Sequence, residues 1–312
     1  MFANKSIKTN IISMSFKGLF VFTICYFFSF STLANTEFLY SSYKFEKKRI
    51  IIVSAGVGVG LTASYLYAKK NWWSEQESNF HFDNGPDLRY ALNVDKAGHF
   101  LGGLHASEMF SSSLSWVGVN HKKSLLFGAY FGTILQLGIE LKDAYAPYWG
   151  FSKWDLGCGA LGSFWPVIKH NNSFLNPINF KFSYYRHTDT YLKLEKEKGN
   201  RVTNMYWQDD YPNQTYWMTI DINKYLKTSI VPSWMNIAVG FGLDDGQKIN
   251  NEGQKVGGQN EWYLAVDYNI SKLFRKCNNP ILKKLIYWID YIHFPAPTIR
   301  FSPSFKFYPL FI

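Results

Sequence analysis

Phe180-Lys181-Phe182-Ser183-Tyr184-Tyr185 and Tyr216-Trp217-Met218-Thr219-Ile220-Asp221-Ile222-Asn223 each repeat with a period of two. Extended chain turns successive side chains to opposite faces, so both stretches predict β-strands. Asn236 to Leu243, Glu261 to Ile270 and Thr298 to Ile312 continue the pattern, the last as one run with Ile299, Phe301, Phe305, Phe307 and Phe311 on a single face. Asp244-Asp245-Gly246 and Gly257-Gly258-Gln259-Asn260 are turn signals between the middle pair, as a long hairpin requires. About five or six strands result, fewer than the eight of the smallest membrane barrels, and an antiparallel sheet is expected. Between strands, residues 281–292 with Lys283, Lys284 and Asp290 form one amphipathic helix.

Ahead of Asn171 the period becomes helical. Helices are expected over about Lys96 to Trp116, Ser124 to Ala144 and Lys153 to Ile168; their short connections make neighbours antiparallel. Ile50 to Ala68 carries no charge and lies between Lys47-Lys48-Arg49 and Lys69-Lys70, with Trp72-Trp73 following. Its length suits a bilayer, whereas Ala55, Gly56, Gly58, Gly60, Ala63 and Ser64 equally suit a helix packed against protein. The expected class is therefore α+β: a small bundle of about four helices, one or more of them membrane-associated, then an antiparallel β-rich region. The expected division is a signal peptide over 1–34, a helical unit over 35–170 and the β-rich unit over 171–312.

Composition limits where the chain works. Of 312 residues, 47% are hydrophobic and 18% charged, against about 25% charged in soluble domains. The net charge of +10 comes from scattered Lys and Arg without the clustered stripe of a nucleic-acid binder, so nucleic acid is excluded as a partner. Lys5, Lys8 and Lys17, the apolar run Gly18 to Phe30 and the small residues closing at Ala34 read as a secretory signal, with an uncleaved anchor as the alternative. Cys25 sits inside the apolar run, so no lipid anchor is expected. A Cys158–Cys277 bridge is open to an exported chain, but Cys158 as a small interior residue is favoured. Export toward the cell envelope is thus expected, periplasmic or membrane-associated, with inner and outer membrane undecided.

Polar residues in the helical half are few and recur in order: Asp95-Lys96 and His99, then Glu140 and Asp143, then Ser152 and Asp155. Asp95 and His99 lie one turn apart, about 6 Å along a helix axis, and share a face. Charge inside an apolar bundle is costly unless it is paired or holds a cation. His99, Glu140, Asp143 and Asp155 are accordingly the candidate catalytic or ligating residues, expected at one end of the bundle, with Asp95, Lys96 and Ser152 supporting. A divalent metal is compatible with this set, although no specific metal motif occurs. Each residue also has a plainer role. Ser152-Lys153-Trp154-Asp155 fits a capping box, Asp95 fits a cap on the helix beginning at Lys96, and Lys96 can neutralise Asp95, Glu140 or Asp143.

The ordered pattern Asp95-Lys96-x-x-His99-Phe100, Glu140-Leu141-x-Asp143, Gly150-x-Ser152-x-x-Asp155-Leu156 and Gly162 resembles the YfiM-like family of uncharacterised bacterial envelope proteins, and more distantly the VanZ-like membrane proteins. The resemblance covers roughly residues 90 to 168. It implies an envelope location but brings no established activity. This chain departs from the family's lipoprotein description in lacking an anchor Cys.

Gly157-Cys158-Gly159-Ala160-Leu161-Gly162 spells the dinucleotide fingerprint, but no strand precedes it, so no cofactor is expected there. No H-E-x-x-H or Gly-x-Ser-x-Gly pattern exists. Two function classes remain. In the first, the charged cluster locks the helices of a structural or interaction protein, with a membrane surface or an envelope protein as partner. In the second, an envelope enzyme acts on a lipid or cell-wall precursor through His99 with Glu140, Asp143 and Asp155; no small-molecule ligand is identified.

Overall fold

The computed structural model describes residues 45–73, 77–83, 85, 88, 91–147, 149–197, 209–229, 231–252 and 255–312. The signal-peptide expectation for residues 1–34 lies outside them. Four long helices come first: α1 (Lys47–Asn71), α2 (Val94–Val117), α3 (His121–Asp143) and α4 (Lys153–Asn171). After them the chain is mainly extended, as the change of period requires. It continues as β1 (Ile178–Tyr184), α5 (Thr190–Glu197), β2 (Gln214–Ile220), α6 (Ile222–Leu226), β3 (Met235–Leu243), β4 (Gln247–Ile249) and β5 (Lys255–Gly257). It closes with β6 (Asn260–Tyr268), α7 (Ile270–Leu273), α8 (Pro280–Ile289), β7 (Ala296–Ser302) and β8 (Lys306–Phe311). The class is mixed α+β, with helices leading and an antiparallel sheet following.

The helix ends are chemically marked. Gly118 takes a left-handed φ of 103° after α2 and donates its N–H back to the last turn, a conformation that favours glycine. Asn120 then caps α3, its side chain accepting from Lys122 N at 3.0 Å. Helices α2, α3 and α4 pack through small residues. A Cβ on Gly162 would collide with the Phe100 carbonyl, and one on Gly103 with the Gly159 carbonyl, so those backbones approach to a distance only glycine permits. The fingerprint letters 157–162 lie inside α4, where a Rossmann turn would need a strand-to-helix junction.

Helix α3 is turned inside out relative to a helix of a water-soluble bundle. It buries Gly128, Ala129, Gly132, Gln136 and Glu140 while leaving Phe127 51%, Tyr130 51% and Ile134 67% exposed. Helix α1 leans on the rest through Val53, which packs with Trp116 and Val117, and through Arg49, which donates to the Trp116 carbonyl at 2.9 Å. Its Ile51, Leu61 and Leu66 remain exposed.

The main sheet runs β1-β2-β3-β6-β7-β8, with every neighbouring pair antiparallel. β3 and β6 form the expected long hairpin, extended at its tip by the β4–β5 ribbon. The single strand expected over 298–312 is instead a hairpin, because the chain bends at residues 303–305 and β8 folds back on β7. Alternation continues across the bend, so one period spans both strands. The segment leading into β7 also meets the outer edge of β1: Phe182 N donates to Tyr291 O, and His293 N to Phe182 O, both at 2.9 Å. That contact curls the sheet around an interior where Trp217 stacks on His293 at 3.9 Å and Lys181 pairs with Asp267 and Asp290 at 3.0 and 2.9 Å. The outward face carries exposed Ile237, Trp262, Leu264, Phe301 and Phe307.

Helices and the C-terminal half meet at several places, two of which involve α2. Phe100 packs edge-on against Phe180 at 4.6 Å. Glu108 of α2 accepts from Tyr287 at 2.6 Å and also from Tyr291, and burial pushes its carboxyl above the usual range. Beside it, burial among Tyr291 and Trp288 holds His105 neutral, its pKa driven down to about 4. Cys158 and Cys277 are both unbridged; Cys158 is half-buried on α4 and does not sit in the core as expected.

Candidate functional site

Three helix ends meet at one place. Helix α2 begins there with Asp95, Lys96 and His99, α3 finishes there with Gln136 and Glu140, and α4 starts there with Ser152 and Asp155. The antiparallel course set by short connections produces this meeting. Lys96 Nζ lies 3.0 Å from Asp95 Oδ2 and 3.0 Å from Asp155 Oδ1, all three side chains being buried. One ammonium thereby ties the first turn of α2 to the first turn of α4.

Glu140, 2% exposed, accepts the backbone N–H of Ser152 through Oε2 at 2.9 Å. Ser152 Oγ in turn accepts from Asp155 N at 3.2 Å. The expected capping box is therefore half realised. Ser152 caps α4, but the carboxylate on the Ser152 N–H comes from α3, because Asp155 is held by Lys96. Asp95 does not cap α2 from outside it: the helix starts one residue earlier, at Val94, and Asp95 Oδ1 accepts from Lys96 N within the first turn.

His99 is the least buried member, with 24% of its side chain exposed. Its Nδ1 is 3.0 Å from Gln136 Oε1 and 3.8 Å from Glu140 Oε1, and its Nε2 is 4.0 Å from Asp155 Oδ1. His99, Glu140 and Asp155 each present a ligand atom within 4.8 Å of the others. Asp143 is placed differently. Its Oδ1 accepts from Trp73 Nε1 at 2.6 Å, one turn beyond Glu140, and it stands outside that group. Lys142 points away from the cluster toward Glu77, at 2.5 Å.

Two participants escape a local reading. Gln136 lies one turn before Glu140 on the buried face of α3, and its isolation in an uncharged run was the available signal. Tyr216 comes from β2. Its hydroxyl donates to Gln214 Oε1 at 2.8 Å and would lie 2.9 Å from a Cβ placed on Gly98. Burial, with the negative charge of Asp95 adding to it, raises the Tyr216 hydroxyl well above its ordinary pKa, so it stays protonated. Nothing within the β2 sequence announces that contact, which depends on how the sheet docks.

Compared with family models, curated proteins and solved structures, the chain matches none.

Proposed function

We propose that this chain is a membrane-associated protein of the bacterial cell envelope with a structural or interaction role. In this reading the cluster around Lys96 fastens the helices that present its apolar surface to lipid. One observation carries it: each half has a face on which large apolar side chains point outward over buried polar or small ones. Helix α3 turns Phe127, Tyr130 and Ile134 outward over Gly128, Gly132 and Gln136; the sheet turns Ile237, Leu264 and Phe301 outward over Lys181, Asn236 and Asp267. Contiguous exposed apolar surface in water marks an interaction or membrane face. Among the described residues, Lys47–Asn71 and His121–Asp143 are long and apolar enough to cross a membrane. Export through residues 1–34 and membership of the YfiM-like family belong to the same proposal, the latter resting on the ordered pattern from Asp95 to Gly162.

Fractionation tests it. The protein should pellet with membranes, resist alkaline carbonate and dissolve in detergent, with residues 1–34 missing from the mature form. Complete release by carbonate would overturn the membrane reading, and recovery from the cytosol would overturn export.

A second reading, an envelope enzyme acting on a lipid or cell-wall precursor, is favoured by one feature. The partly exposed His99 ring has two buried carboxylates within 4.0 Å, the arrangement a general base uses.

A further inference from the structure

We propose that His99, Glu140 and Asp155 bind one divalent transition-metal cation, of the zinc or manganese kind. The three side chains come from three different helices, and their ligand atoms converge within 4.8 Å of one another. Metal–nitrogen and metal–oxygen bonds of about 2.0–2.2 Å need ligand atoms roughly 3–3.5 Å apart. The 4.0 Å between His99 Nε2 and Asp155 Oδ1 therefore requires only small side-chain rotations.

The orientation of His99 points independently to a cation. Gln136 Oε1 can only accept, so Nδ1 carries the proton in the 3.0 Å bond between them. In the neutral ring Nε2 then carries the lone pair, on the side of Asp155 Oδ1, 4.0 Å away. A ligating histidine has this same form, one nitrogen oriented by an outer partner and the other turned to the metal.

Asp95, Glu140 and Asp155 are all buried here, and Lys96 faces Asp95 and Asp155. One imidazole with two carboxylates suits zinc or manganese better than calcium or magnesium, which take all-oxygen shells. The exposed edge of His99 is the side from which the ion enters and where further coordination positions remain open.

The site is independent of the membrane reading and would hold in a protein released by carbonate. The test uses the detergent-solubilised full chain, stripped with a chelator and titrated with Zn2+ and with Mn2+ by calorimetry, with metal analysis after dialysis. The expected result is one ion per chain, a metal-dependent rise in melting temperature, and at least tenfold weaker binding in H99A and in E140Q. His187→Ala, at an exposed histidine outside the cluster, should bind as the parent does. Because E140Q alters the Ser152 bond as well, H99A decides the matter: its melting temperature without metal should match the parent's while the metal-induced rise disappears. Absence of stoichiometric binding of either ion, or binding unchanged in H99A, would overturn the proposal.

Discussion

Oε2 of Glu140 accepts the backbone N–H of Ser152 at 2.9 Å, so the last turn of α3 caps the first turn of α4. Removing that acceptor leaves a buried donor unpaired. Glu140→Ala should therefore cost about 1–3 kcal/mol. Glu140→Gln keeps an amide oxygen for the bond and should cost clearly less. Denaturant unfolding in detergent compares them, and equal losses would show that the cap contributes nothing.

Within the fingerprint letters the first and last glycines should behave in opposite ways. Gly157 has open space where a Cβ would point, so Gly157→Ala should stabilise α4 by about 0.5–1 kcal/mol. Gly162 faces the Phe100 carbonyl, and Gly162→Ala should destabilise by about 1–3 kcal/mol through overpacking. A nucleotide loop would instead make both substitutions harmful to ligand binding and neither to the α2–α4 contact. Melting temperatures of the two variants distinguish the cases.

Lys284 is buried on α8, its Nζ without a hydrogen-bond partner among the described residues, and desolvation lowers its pKa from 10.5 to about 7. Between those values the unfolded chain holds a proton that the folded chain lacks. Stability should therefore rise as pH increases from about 7 to about 10.5 and carry the full penalty below 7. Lys284→Met should raise the melting temperature at pH 7 by several degrees and flatten that rise. A pH profile unchanged in Lys284→Met would contradict this assignment.

The sequence made the helices legible because their apolar runs and short polar joints leave few alternatives, and the strands because alternation survives wherever one face is buried. It erred where the deciding contact was long-range. Period two runs through residues 303–305 and masks the turn signal of Ser302-Pro303-Ser304, since the hairpin of β7 and β8 keeps the same faces. Spacing alone makes Asp155 the partner of the Ser152 N–H, but Lys96 holds Asp155 and Glu140 takes that place. Asp143 shares the helix end with Glu140, yet one further turn carries it toward Trp73. Tyr216, nearly 120 residues from Gly98 in sequence, becomes a neighbour only when the sheet docks on α2.

The account rests most heavily on the ion pair of Lys96 with Asp155 as the fastening between α2 and α4, and a double-mutant cycle tests it directly. Lys96→Met, Asp155→Leu and the pair together are unfolded by denaturant in the same detergent. Lys96→Met alone should cost about 3–5 kcal/mol, because it removes a buried counter-charge from two carboxylates. The double variant should be less destabilised than the two singles would imply, by at least about 1.5 kcal/mol, whereas independent sites agree within about 0.3–0.5 kcal/mol. Additive losses within that margin would show that the two side chains do not hold the helices together.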